Sequence, residues 1–334
     1  MRAFLRGPYG IIALLSLLLI AAVLVSLSLG RYPIPLGAMI NRLLGVREFD
    51  SGRTEAILFN VRLPRVILAC LAGSALATAG AAYQGVFQNP LASPDILGAS
   101  GGAAVGAALA ILLRLPAAMI TIFAFSASLA TIALVMLIGE RVRGRKILGL
   151  ILAGMMISSL NSAVISFMKL AADPNSVLPE IVYWLMGSLA KTKPSSLSFA
   201  AFPILLGLAP LLIFRWRINL LTLGEDEAQT MGVNVRRLRR MITICATLIT
   251  AGAVSVSGII GWAGLVIPHL TRRFVGNDYR YLMPATMLFG AFFLLLIDDI
   301  ARNLFATEIP LGILTSLAGA PVFLWLITRK GDVW

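Results

Sequence analysis

Side chains able to do chemistry are few in this chain and far apart. His269 is the single histidine among 334 residues. A zinc site of the HExxH kind needs two, so that chemistry and any histidine-rich metal centre are excluded. A Ser/His dyad would have to recruit His269, just after Pro268, to a serine on another helix, and no serine pattern marks such a partner. Packing or hydrogen bonding is the plainer role for it. Cys70 and Cys245 lack CxxC spacing and lie in apolar runs, where thiols act as small hydrophobes. The segment GERVRGRK, from Gly139 to Lys146, comes nearest to a phosphate-binding loop. Arg145 stands where the lysine should be, and no Ser or Thr follows. No catalytic residue and no metal ligand is assigned.

Charge is more informative. Asp298 and Arg302 are spaced i, i+4 near the end of an apolar run, with Asp299 beside them, so acid and base can meet on one helix face. Either Asp298 steadies an Arg302 turned outward toward a partner, or the pair makes the helix end soluble. The same two carboxylates are what a proton-coupled secondary transporter would use. Arg62 and Arg65 flank Leu63-Pro64 one turn apart. Two such guanidiniums at a membrane boundary suit docking carboxylates, and equally suit interfacial anchoring. Between Arg215 and Arg240 the chain turns polar. Glu225, Asp226 and Glu227 precede Arg236, Arg237, Arg239 and Arg240, while Gly224 and Gly232 bracket a short helix-like run. This island is too polar for a bilayer and reads as a surface offered to a soluble protein.

The elements that position these groups are apolar. Hydrophobic residues make up 59% of the chain and charged residues only 13%, a balance rare in soluble domains. Runs of about 20 residues, long enough to cross a hydrocarbon core, recur throughout. They predict an all-α polytopic membrane protein forming one domain over 1–334. About ten spans are expected, near 11–29, 63–83, 96–113, 117–138, 147–168, 197–214, 241–258, 260–275, 282–304 and 311–328. The run 260–275 holds Gly261, Gly264 and Pro268 and is expected to be broken. The first run lacks a small-residue cleavage site and reads as a retained helix. With the N-terminus inside, 17 of the 28 basic residues fall on the inner side, as the positive-inside rule favours. The net charge of +13 therefore reports topology and implies no nucleic-acid partner. The outer loops 30–61 and 170–196 each have room for a short helix, at 36–44 and 178–189. Gly98, Gly102 and Gly106 repeat every fourth position, as do Gly73, Ala77 and Ala81, a spacing that lets helices approach closely.

The run RLPRVILACLAGSALATAGAAYQGVFQNPLASPDILGASGGA at 62–103 resembles the signature of FecCD-type permeases, the transmembrane subunits of bacterial ABC importers for ferric siderophores, haem and cobalamin. The likeness continues through YWLMGSL at 183–189, LLTLGEDEAQTMGVNVRRLRR at 220–240, SGIIGWAGLVIPHLTRRFVG at 257–276 and EIPLGILTSLAGAPVFLWLI at 308–327. The resemblance implies the type II importer permease fold in a bacterial or archaeal cytoplasmic membrane. It implies a homodimer around a central pathway, two cytoplasmic ATPase subunits that bind ATP and Mg, and a periplasmic or lipid-anchored substrate-binding protein. No cofactor would reside in this chain, which would itself be no enzyme. Arg62, Arg65 and Arg302 would meet glutamates of the binding protein. The segment 219–240 would form the coupling helices, with Gly224, Glu225, Ala228, Gln229 and Gly232 at matching positions. Asn89, Pro90 and Leu91 would help close the pathway, which the fifth and tenth spans would line. Some cobalamin-type members carry small hydroxyl residues where this chain reads Lys146-Ile147-Leu148-Gly149, so the resemblance implies an apolar gate at Ile147 and Leu148 that closes by dewetting and steric contact. The cargo would be a metal chelate of the siderophore, haem or cobalamin class. An oxyanion such as molybdate is the alternative.

Overall fold

The computed structural model describes residues 7–46, 49, 51–142 and 146–328. Helices are their only regular structure, with no strand among them. The chain opens with α1 (Pro8–Ser28), α2 (Leu36–Leu43), α3 (Gly52–Ala56) and α4 (Leu63–Phe87). A π-helical turn, Ile57–Arg62, fuses α3 to α4. There follow α5 (Ala99–Leu112), α6 (Ala117–Arg141), α7 (Lys146–Ala171), α8 (Val177–Leu185) and α9 (Pro194–Ile213). Two short helices, α10 (Arg215–Leu223) and α11 (Glu225–Thr230), precede α12 (Val235–Ser257), α13 (Ala263–Val275), α14 (Tyr279–Asn303) and α15 (Leu311–Thr328).

Among the described residues seven units are long and apolar enough to cross a bilayer: α1, the joined α3–α4, α6, α7, α9, α12 and α14. The other three expected spans are shorter. With 14 and 13 residues, α5 and α13 reach only about 20 Å, less than a hydrocarbon core of about 30 Å. A 3₁₀ turn at Pro94–Leu97 brings the chain to α5. The expected break in 260–275 falls before Ala263, where Trp262 takes a φ of 68°. The two short outer helices also form, as α2 and α8. One boundary differs: the loop predicted to run to residue 61 ends at Ser51, whose hydroxyl accepts from the Arg53 N–H and starts α3. Arg53, Glu55 and Arg62 interrupt the hydrophobic run there and hide a helix that tertiary packing supports.

At the centre stands α4, buried on nearly every side and packed by α9, α12, α13 and α14. Small residues permit this. A methyl group at Gly73 would run into the Gly290 carbonyl of α14, and one at Gly80 into the Gly264 carbonyl of α13. Gly102 and Gly106 likewise face Thr131 and the Phe123 carbonyl of α6. The small-residue stripes are packing surfaces. His269 is buried, with its ring edge-on to Phe323. Cys245 is buried and Cys70 half-buried, both unpaired.

Candidate functional site

The polar island folds as a compact hairpin of short helices. After Phe214, α10 begins at Arg215, four residues before the predicted start of the segment. Gly224 takes a φ of 129° between α10 and α11, and Gly232 a φ of 78° after α11. Both angles lie where a side chain would be strained, so these glycines set the two corners. Ala228, on the inner face of α11, is fully buried. Its N–H bonds the Gly224 carbonyl at 3.2 Å, and its carbonyl accepts from the Val233 N–H at 3.2 Å, which ties the corners together. Asn234 then caps α12 by accepting from the Arg237 N–H at 2.9 Å. Gln229 is exposed, together with Leu223 and Met231. Glu225 opens α11, and its side chain lies outside the described residues. The hairpin thus shows apolar and polar groups outward and anchors itself through alanine.

What sequence reasoning missed is how this hairpin is tied to the membrane helices. Asn219 on α10 donates from Nδ2 to Asp278 Oδ1 at 2.7 Å and accepts the Tyr279 N–H at 2.8 Å. Asp278 also accepts the Arg280 N–H at 2.9 Å and so caps α14. Burial pushes its carboxyl up, but the Arg280 N–H, the Asn219 amide and the Arg280 charge outweigh this and hold it below the usual carboxylate range. The Tyr279 hydroxyl donates to the Ala81 carbonyl of α4 at 3.1 Å. Arg272 of α13 reaches both Tyr279 and Gln84 of α4. At the end of α4, Gln88 adopts a φ of 49° and donates to the Leu221 carbonyl of α10. Two membrane helices, α4 and α14, therefore grip α10 by hydrogen bonds, and Arg272 of α13 links those two to each other. The only signal for this in the sequence was the polar cluster Tyr83-Gln84 and Gln88-Asn89 at a helix end.

The loop Asn89-Pro90-Leu91 follows directly. Asn89 Oδ1 accepts the Leu91 N–H at 2.9 Å, and the Asn89 carbonyl accepts the Ala92 N–H at 3.0 Å, so the loop is a tight turn with Leu91 exposed. The start of α7 packs on the 3₁₀ turn just beyond it, with Gly154 against the Ile96 carbonyl. Ile147 is half-buried. Leu148, Leu152, Met155, Met156 and Leu160 leave much of α7 as an exposed apolar face.

At the opposite end of α4 the three arginines gather, but none projects freely. Arg65 donates from Nε and Nη2 to Asp298 and from both terminal nitrogens to Glu308, at 2.9–3.1 Å. Asp298 is fully buried, whereas the Glu308 side chain keeps 30% of its surface. Arg302 folds back onto Asp299 and onto Ser26 of α1, donating to its carbonyl at 2.7 Å and its hydroxyl at 2.6 Å. Arg62 caps the end of α1 by donating to the carbonyls of Leu27 and Ser28 at 2.8 and 3.0 Å. The expected i, i+4 ion pair of Asp298 with Arg302 forms, at 4.0 Å, but the hydrogen bonds of Asp298 go to Arg65, and Arg302 turns back onto Ser26 instead of pointing outward. Burial is the reason, since an unpaired charge there would cost several kcal/mol, about 3–5. Both oxygens of Asp298 accept from Arg65, and Oδ1 of Asp299 accepts from Ser26 and Arg302.

A core of long apolar helices, with a hydrogen-bonded polar hairpin at one end and a neutralised charge cluster at the other, is the architecture of a multi-pass membrane protein. The FecCD transport family model matches residues 18–329, and the chain belongs to that family. It is 41% identical over 313 residues to the molybdate import permease MolB of Haemophilus influenzae, covering 92% of each chain. It is also 41% identical to an iron chelatin permease of Helicobacter pylori, covering 88% of each. A solved metal-chelate-type ABC transporter in an inward-facing conformation superposes with a TM-score of 0.87 at 39% identity, covering 95% of this chain and 98% of that one. The chain is therefore an ABC transporter permease of the type II importer fold.

Proposed function

We propose that this chain is the conduit of a binding-protein-dependent importer, working as a homodimer beneath a substrate-binding protein and above two ATPase subunits that hold ATP and Mg. The observation that carries the proposal is the hairpin of Gly224, Glu225, Ala228, Gln229 and Gly232, exposed at its tip and bonded at its base to α4 and α14. A packed core has discrete arrangements, so a push on this hairpin moves helices as rigid bodies. By the charge bias, the hairpin lies on the cytoplasmic side. Replacing Asn219 with Ala removes both of its bonds, weakening the seat of α10 by about 1–3 kcal/mol. In proteoliposomes with the cognate motor and binding protein, uptake should fall about tenfold or more while basal ATP hydrolysis persists, because 1.4 kcal/mol is a factor of ten. Full uptake by Asn219→Ala would remove the coupling role.

Docking at Arg62, Arg65 and Arg302 works by exchange. Of Arg65's two carboxylates, only Glu308 sits at the surface, so a glutamate of the binding protein would replace it. Glu308→Gln should therefore tighten binding-protein affinity by about fivefold or more, since hydrogen bonds to charged groups are worth about 1.5–3 kcal/mol. An unchanged or weaker affinity would remove the exchange. Asn89, Pro90, Leu91, Ile147 and Leu148 form the inner gate, and α7 with α15 line the pathway.

The cargo we assign is a metal chelate of the siderophore, haem or cobalamin class. Support comes from the solved metal-chelate-type relative and from the exposed apolar face that Leu148, Leu152, Met155, Met156 and Leu160 give α7. Such a surface passes bulky cargo without retaining it, leaving selection to the delivering protein. The molybdate permease among the relatives is the reason to test an oxyanion alongside the chelates. Identifying the ligand retained by the purified binding protein decides between them.

A further inference from the structure

A cavity of about 850 Å³ opens beside the hairpin, where α1, the α9–α10 junction and the start of α14 meet. It plays no part in the coupling or docking described above. Arg215 and Arg280 line it, and no acidic residue does. Among the described residues neither guanidinium makes an ion pair or a side-chain hydrogen bond. The Asp278 carboxylate, two residues from Arg280, feels that charge, but its hydrogen bonds go to the Asn219 amide and the Arg280 main chain. Arg217, next along, stands over the rings of Phe214 and Trp216 at 5.1 and 5.3 Å and leaves the cavity to the other two.

Three aromatic residues complete the rim. Tyr9 and Tyr281 pack edge to face at 5.1 Å, and Trp216 is 44% exposed. Tyrosine and tryptophan at helix ends mark headgroup depth in a bilayer. Toward the hydrocarbon core the lining becomes apolar, with Ile12 and Ile213, the latter two-thirds exposed. Two guanidiniums that make no ion pair among the described residues, an aromatic belt and an oily floor in that order match the chemistry of one molecule. A phosphodiester accepts the planar forks of arginine, and acyl chains take the groove below. Basic pockets between membrane helices hold anionic headgroups in this way.

We propose that this cavity binds an anionic phospholipid of the adjoining leaflet, its phosphate held by Arg215 and Arg280. Because Arg215 and Trp216 form the first turn of α10, the lipid would brace the helix that carries the coupling hairpin. The regulatory consequence rests on the function proposed above, whereas the binding does not. The test needs only this chain, so its failure is distinguishable from failure of the coupling reading.

Binding of phosphatidylglycerol and of phosphatidylcholine to the purified full chain in neutral detergent is measured by native mass spectrometry. Each basic residue near a lipid surface contributes about fivefold, so a preference of about thirtyfold for phosphatidylglycerol is expected. Arg215→Gln with Arg280→Gln should abolish that preference. Arg273→Gln should keep it, since Arg273 lies over the Trp325 ring outside the cavity. If the double variant does not fold, Arg280→Gln alone should lose about fivefold, because the Arg280 side chain holds no other element in place. A preference that survives these substitutions overturns the proposal, as does an equal affinity for both lipids. Displacement of phosphatidylglycerol by an equal concentration of inorganic phosphate would assign the arginines to a free anion and also overturn it.

Discussion

Asp298→Ala is expected to lower stability by about 3–5 kcal/mol, because it strands a buried guanidinium. The Arg65 side chain is only 9% exposed and meets Asp298 through two nitrogens. Glu308 alone would then balance it, from a position open to solvent. Chemical unfolding in mixed micelles, followed by far-UV circular dichroism, reads the loss directly. Removing both charges, as Arg65→Met with Asp298→Leu, should recover much of it, since well-packed apolar residues often replace buried pairs at little cost. Asp173→Ala serves as control. That carboxylate is held low by Ser176 and the Asn175 N–H, but its side chain is 44% exposed and 3.9 Å from Arg114, so its removal should change little. A mild effect of Asp298→Ala, equal to that of Asp173→Ala, would mean that the buried pair is not formed.

Gly290→Leu is expected to prevent assembly of the helical core. Even a methyl group at this position would overlap the Gly73 carbonyl and the Ala77 side chain on α4. The atoms in the way include backbone, so α4 and α14 must separate, and overpacking of far smaller size already costs about 1–3 kcal/mol. The contact lies midway along the most deeply buried helix, where no side-chain rotation relieves it. Size-exclusion chromatography after detergent extraction should show loss of the monodisperse peak. Gly37→Ala, at a site with no atom within 4 Å of the added carbon, should extract and elute like the unaltered protein. A monodisperse Gly290→Leu variant would contradict the close approach of α4 to α14.

The membrane helices were legible because a bilayer demands long apolar runs, and their order and rough ends follow from hydropathy alone. The polar hairpin was legible for the converse reason, and so were its two corner glycines. The fusion of α3 to α4 was not, because polar residues at 53, 55 and 62 interrupt the run although the backbone continues through it. The three arginines stood out by type and place, yet their partners could not be read. Arg65 meets Asp298 and Glu308 across more than 230 residues of chain. Local spacing pointed instead to Asp298 with Arg302, a contact that one helix permits and that a better-placed Arg65 outcompetes. Gln88 and Asn219 were equally hidden, since polar residues at helix ends are common and only packing shows which of them meet.

From Arg65 to Gln88 runs a single uninterrupted cylinder about 35 Å long at the rise of an α-helix. One tip is clasped by acids from the far end of the chain, and the other is strapped to the first helix of the hairpin. Its flanks are so closely fitted, glycine against glycine, that it has little freedom to bend. A tug at either tip must therefore reach the other as tilt or slide of the whole rod. A load at one tip is in this way felt at the other without a single bond inside the rod being remade.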